Sequence, residues 1–138
     1  MTPDLLYLSY AALLNALLFI PYVVGLGLTS AQQGISPLRT FRDPTPPELA
    51  AWVKRTNRAH MNSVETLAPI AILLLVAHVT GISNEMTAMW ALVFLCARIA
   101  HALVYWMAIP IARTLAFFAG LIATGGVFWE TVFAVPTP

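Results

Sequence analysis

Four long apolar runs separated by short polar breaks set the pattern of this chain. Each run reads as one helix long enough for about 30 Å of hydrocarbon. The first helix is predicted over about residues 5–28, with Tyr7 and Tyr10 as interfacial anchors and a kink at Pro21. Residues 29–45 then read as the longest loop, broken by Ser30, Gly34, Pro37 and Pro44. Thr45-Pro46-Pro47-Glu48 has the form of a capping box, with Thr45 as N-cap and Pro46 in the first turn. It predicts a second helix over about residues 46–79. At 1.5 Å per residue that helix spans about 50 Å, so its first turns project into water. Gly81 is the expected stop, and Ser83 or Asn84 the expected cap of a third helix over about residues 85–107. Ile109-Pro110 breaks the chain before a fourth helix over about residues 111–134, where Gly125 and Gly126 permit close packing.

Composition supports a membrane reading of these runs. Of 138 residues, 59% are hydrophobic and 9% charged, whereas a soluble domain carries about 25% charged residues. Mean hydropathy is +0.79. The expectation is a single all-α membrane domain over residues 1–138, a bundle of four transmembrane helices in a lipid bilayer. The first run starts with an acidic residue, Asp4, and lacks an Ala-x-Ala site, so it reads as a retained helix rather than a leader. The net charge of +1 argues neither way on nucleic acid, but no basic patch with interleaved aromatics occurs, so no nucleic-acid partner is expected. Cys96, the one cysteine, is expected to pack as an inert core residue. Arg39, Arg42, Lys54, Arg55, Arg58 and Arg113 fall on one side, and Asp4, Glu85 and Glu130 on the other. The positive-inside rule then puts the basic side in the cytoplasm and both termini outside. The compact chain, in which no targeting segment is read, suits a bacterial inner membrane, with an organelle membrane as the alternative.

What hydropathy does not explain is a set of ionisable groups at membrane depth. Arg58, Asn62 and Glu65 are spaced by four and three on the second helix and share a face. Arg98, His101 and Tyr105 share a face of the third helix, and Arg113 lies in the first turn of the fourth. One reading is structural: Glu65 pairs with an arginine so that the bundle can close. The other is functional, because such groups mark ligand or ion pathways, and a set rich in arginine selects an anion. Asn15 reads as an interhelical hydrogen bond or a ligand contact. His60 points away from the Arg58 face, toward the surface or another subunit, and His60, His78 and His101 lack metal-ligand spacing. Four short helices enclose a polar site more economically between copies than alone, so a homo-oligomer is expected.

Two motifs carry a resemblance. Arg58-Ala-His-Met-Asn62-Ser-Val-Glu65-Thr-Leu-Ala-Pro69 resembles the second-helix signature of the MAPEG superfamily, membrane-associated proteins in eicosanoid and glutathione metabolism. Ala97-Arg98-Ile-Ala-His101-Ala-Leu-Val-Tyr105, with Arg113 beyond it, is similar to the third helix and fourth-helix start of its prostaglandin E synthase branch. The resemblance implies a homotrimer with glutathione between neighbouring subunits near the cytoplasmic face. It implies that Arg58, Asn62, Glu65, Arg98, His101 and Tyr105 line the glutathione site. Glu65 would take the ligand's amine or hold Arg98, and Arg113 would hold the sulfur as a thiolate. A guanidinium beside a thiol whose ordinary pKa is about 8.5 favours its charged form. The chain departs from the pattern at Met61, at Ala31-Gln32-Gln33 and at Phe117, where synthases carry polar, basic and tyrosine side chains.

The resemblance therefore points to a glutathione-dependent transferase or peroxidase acting on a lipophilic electrophile from the bilayer. A noncatalytic lipid-binding or scaffold member is the alternative. A small four-helix exporter fits less well, because such proteins need a carboxylate in the middle of the first helix, and here there is none.

Overall fold

A computed structural model describes residues 1–42 and 48–133. Their helices are α1 (Pro3–Gln32), α2 (Pro37–Arg42), α3 (Ala51–Val79), α4 (Glu85–Trp106) and α5 (Pro110–Phe133), with no strand among the described residues. α1, α3, α4 and α5 are each long and apolar enough to cross a membrane. Most residues of these spans face outward, and Leu13, Ile72, Leu115 and Leu121 are among the exposed apolar side chains. Water would penalise that surface, whereas hydrocarbon does not. The molecule is an integral membrane protein built as an all-α four-helix bundle.

Inside the bundle, Ala11, Ile70, Leu74, Phe94, Ala123 and Val127 form the centre of one apolar core. The α4–α5 hairpin is the most extensive helix contact, and α1 packs along both α3 and α4. Small residues set these approaches. A Cβ at Gly126 would collide with the Trp90 indole, and one at Gly25 would collide with Trp52 and Val53. Gly125, expected to share this role, has no atom within 4 Å of that position.

Local chemistry accounts for the helix ends. Gly81 takes a left-handed φ of 74°, and the Ile82 amide donates to the Ala77 carbonyl at 2.8 Å, closing α3 in a Schellman turn. Asn84 then caps α4: its Oδ1 accepts from the Met86 and Thr87 amides at 2.8 and 2.9 Å, and Thr87 Oγ1 accepts from the Asn84 amide. Ser83 is thereby free to donate to Asp4 Oδ2 at 2.7 Å, which fixes the start of α1 on the α3–α4 turn. Asp4 is 1% exposed, so this flanking charge is a buried tie between helices.

The structure corrects several expectations. Residues 29–45 are not one continuous loop. α1 runs on to Gln32, with Ser30 satisfied by donating its hydroxyl to the Leu26 carbonyl, and α2 starts at Pro37, where a missing amide costs nothing. The long helix starts at Ala51 rather than near residue 46, because Glu48, Leu49 and Ala50 are not helical. The capping role of Thr45 and Pro46, the end of the fourth helix at residue 134 and the Pro136–Pro138 tail lie outside the described residues. Cys96 is exposed on α4, not packed in the core. His60 lies against α1, with its ring 5.3 Å from that of Phe19 and Nδ1 3.2 Å from the Asn15 carbonyl oxygen. It is a contact within the chain.

α4 ends in a second Schellman turn, with the Ile109 amide donating to the Val104 carbonyl at 3.0 Å, but its left-handed residue is Ala108, at φ 61°. An alanine in that conformation costs about 1 kcal/mol that glycine does not. Ala108→Gly is therefore expected to raise stability by about that amount, read as a higher melting temperature in detergent. An unchanged or lower value would contradict this assignment.

Candidate functional site

At the end of the bundle where α3 begins, α4 ends and α5 begins, the helices border a half-open cavity of about 360 Å³. Its polar lining is Lys54, Arg55, Arg58, Tyr105 and Arg113, and Val104, Ile109 and Pro110 supply apolar wall. Four cations and, among the described residues, no carboxylate line it. The volume lies at the small end of the range for ligand pockets. Like charges converge here because 54 and 58, and 55 and 58, are helical neighbours, and the α4–α5 turn carries Arg113 to the same side. Such a set costs free energy in isolation and is relieved by an anion.

Arg113 is held in place by an aromatic column. Its Cζ lies 4.9 Å from the centroid of the Tyr105 ring, and Tyr105 meets His101 edge-on at 5.4 Å. His101 is 4% exposed, so it supports Tyr105 from within the bundle. Because Arg113 sits in the first turn of α5, the unpaired amides of that turn add positive potential to its guanidinium.

About 10 Å farther along α4 from Tyr105, at 1.5 Å per residue, Arg98 is 3% exposed. Nη1 donates to Asn62 Oδ1 at 3.2 Å and Thr66 Oγ1 at 3.0 Å; Nη2 donates to the Ala116 and Phe117 carbonyls at 3.2 and 3.3 Å. The guanidinium also lies 5.4 and 5.8 Å from the Phe94 and Phe117 ring centroids. Glu65 is exposed on α3 and has no polar partner among the described residues. The expected alternative in which Glu65 holds Arg98 is thus not realised: neutral oxygens of Asn62, Thr66 and α5 occupy that arginine.

Of the residues singled out in the sequence, the structure brings Arg58, Tyr105 and Arg113 into one cavity, with His101 behind Tyr105. Asn62 and Arg98 meet each other deeper in the bundle, and Glu65 faces outward. Lys54 and Arg55 complete the lining: Arg55 shares the helix face of Arg58, Asn62 and Glu65, whereas Lys54 counts in the sequence only toward orientation, although its spacing of four from Arg58 is the available signal. Asn15, expected to bridge helices through its side chain, keeps Oδ1 buried without a partner, and its backbone carbonyl makes the contact instead.

Comparison with known proteins gives one relevant finding. A family model described as MAPEG family matches residues 7–133. No curated protein and no solved structure gives a significant match.

If the cavity selects anions by charge, Lys54→Gln and Arg55→Gln should each weaken binding of a small dicarboxylate such as glutarate by about two- to fivefold. Added salt should shrink the difference. Titration calorimetry that found binding indifferent to both substitutions and to salt would contradict it.

Proposed function

The chain belongs to the MAPEG family, membrane proteins of glutathione and eicosanoid metabolism, and from that premise we propose that it is a glutathione-dependent transferase or peroxidase acting on lipophilic electrophiles. The observation that carries this reading is the cavity lined by four cations, with Arg113 set against Tyr105 at its wall. The lining suits the carboxylates and the ionised sulfur of glutathione. When bound, glutathione would supply the nucleophilic sulfur.

The chain's own residues divide the remaining work. Arg113 stabilises negative charge on sulfur through its guanidinium and the amide end of α5. Tyr105, backed by His101, keeps that guanidinium from swinging into solvent. Lys54, Arg55 and Arg58 orient carboxylates by charge. Arg98 and Asn62 belong to the same proposed site but act from deeper in the bundle. The ligand's ammonium needs a carboxylate, and none lines the cavity among the described residues. Glu65 stands seven residues after Arg58 on α3, exposed and without a polar partner among the described residues. A carboxylate in that position is costly to leave unpaired. This supports a site completed between copies of the chain in a homotrimer, where Glu65 of one copy would meet the ammonium. The electrophile would enter from the bilayer, and the whole chain would act as one domain. The basic end of the bundle would face the cytoplasm, with both termini outside, as in a bacterial inner membrane.

Adding glutathione to the purified protein in detergent should produce ultraviolet absorbance of a bound thiolate. Arg113→Ala should abolish it. Glu65→Gln should weaken binding by about tenfold or more, the loss expected for a charged hydrogen bond. Absence of thiolate in the unsubstituted protein would overturn the enzymatic reading and favour a lipid-binding or scaffold role. Cross-linking that yielded monomers alone would contradict the shared site.

A further inference from the structure

Arg98 does not line the cavity, yet it is the most heavily engaged polar side chain in the bundle. Its two terminal nitrogens make four hydrogen bonds to two other helices, and its remaining N–H, on Nε, is buried without a partner. Its one unpartnered donor is buried and away from the cavity lining, so Arg98 presents no hydrogen-bonding group there. What it can do is fix helices. Asn62 and Thr66 belong to α3, one and two turns beyond Arg58; Ala116 and Phe117 belong to α5, one turn beyond Arg113. Both cavity walls are thus gripped one turn in from their ligand-facing arginines.

Gly120 makes the grip possible. A Cβ there would collide with the Arg98 guanidinium, so the missing side chain is the socket into which the charge fits. The carbonyls that Arg98 reaches are those that accept the Gly120 and Leu121 amides within α5, and each oxygen has a second lone pair to offer.

We propose that Arg98, seated in the Gly120 socket, is a positioning residue: it clamps α5 to α3 and so holds Arg113 at the cavity without touching ligand. The clamp stands on geometry alone; its consequence for sulfur rests on the function proposed above. The test has one arm for each. The first is hydrogen exchange of the ligand-free protein, for Arg98→Met, Arg98→Lys and Gly120→Ala. Arg98→Met and Gly120→Ala should speed exchange at Gly120, Leu121 and the preceding turn of α5 by about tenfold, the loss of a charged hydrogen bond, and leave the first half of α1 unchanged. Arg98→Lys, which retains a charge able to reach one carbonyl, should restore part of the protection.

The second arm uses glutathione and S-methylglutathione, which has no ionisable thiol. S-methylglutathione affinity should stay within about threefold, whereas the thiolate titration midpoint should rise by about one unit, as expected when a cation is displaced by a small distance. Unchanged exchange in both Arg98→Met and Gly120→Ala would overturn the clamp. Loss of S-methylglutathione binding with unchanged exchange would overturn it too, by making Arg98 a direct ligand contact. No thiolate in the unsubstituted protein, with exchange altered as expected, would sustain the clamp and sink the enzymatic reading alone.

Discussion

A guanidinium sealed inside a four-helix membrane bundle must be solvated by the protein itself. Arg98 meets that constraint without a carboxylate, using a side-chain amide, a hydroxyl and two helix carbonyls, with two aromatic rings over its faces. The arrangement dictates much around it. Position 120 has to be glycine-sized, α5 has to bring its carbonyls to α4, and α3 has to present Asn62 and Thr66 at the same level. Helix packing and charge solvation are therefore one problem in this fold. Its solution leaves Glu65 without a polar partner among the described residues.

The cavity follows from the same frame. Once α3 and α5 are held on either side of α4, the basic first turns of α3 and α5 converge where α4 ends. The α4–α5 turn puts Ala108 in a left-handed conformation at the cavity wall. That modest backbone cost falls in the turn that carries Arg113 to the cavity. The charge of this lining suits an anionic ligand at the basic end of the bundle.

Much of this was legible in the sequence, for identifiable reasons. Span length and apolarity are properties of contiguous residues, so the four membrane helices and their turns at Gly81 and Pro110 could be read directly. Helical spacing likewise grouped Arg58 with Asn62 and Arg98 with Tyr105. Spacing gives a residue's bearing around its own helix, however, and not the partner it meets. That is why a pairing of Glu65 with Arg98 looked reasonable: the hydroxyl of Thr66 and the backbone of α5 are closer, but neither announces itself as a partner for charge. Gly120 was missed for a related reason, since a glycine's value lies in what another helix puts against it. Gly125, in the more conspicuous Gly-Gly pair, contacts nothing on that side. Ser30 and Pro37 misled because breakers also serve as helix ends and helix starts.

The proposed function requires glutathione at the cationic end of this bundle with its sulfur at Arg113. The most direct test is an experimental structure of the full chain in lipid nanodiscs with glutathione present. The expected result is a trimer with ligand density between subunits, sulfur in contact with the Arg113 guanidinium, and Arg98 still enclosed by Asn62, Thr66 and α5. Ligand bound away from Arg113, or a cavity left empty at saturating glutathione, would contradict it.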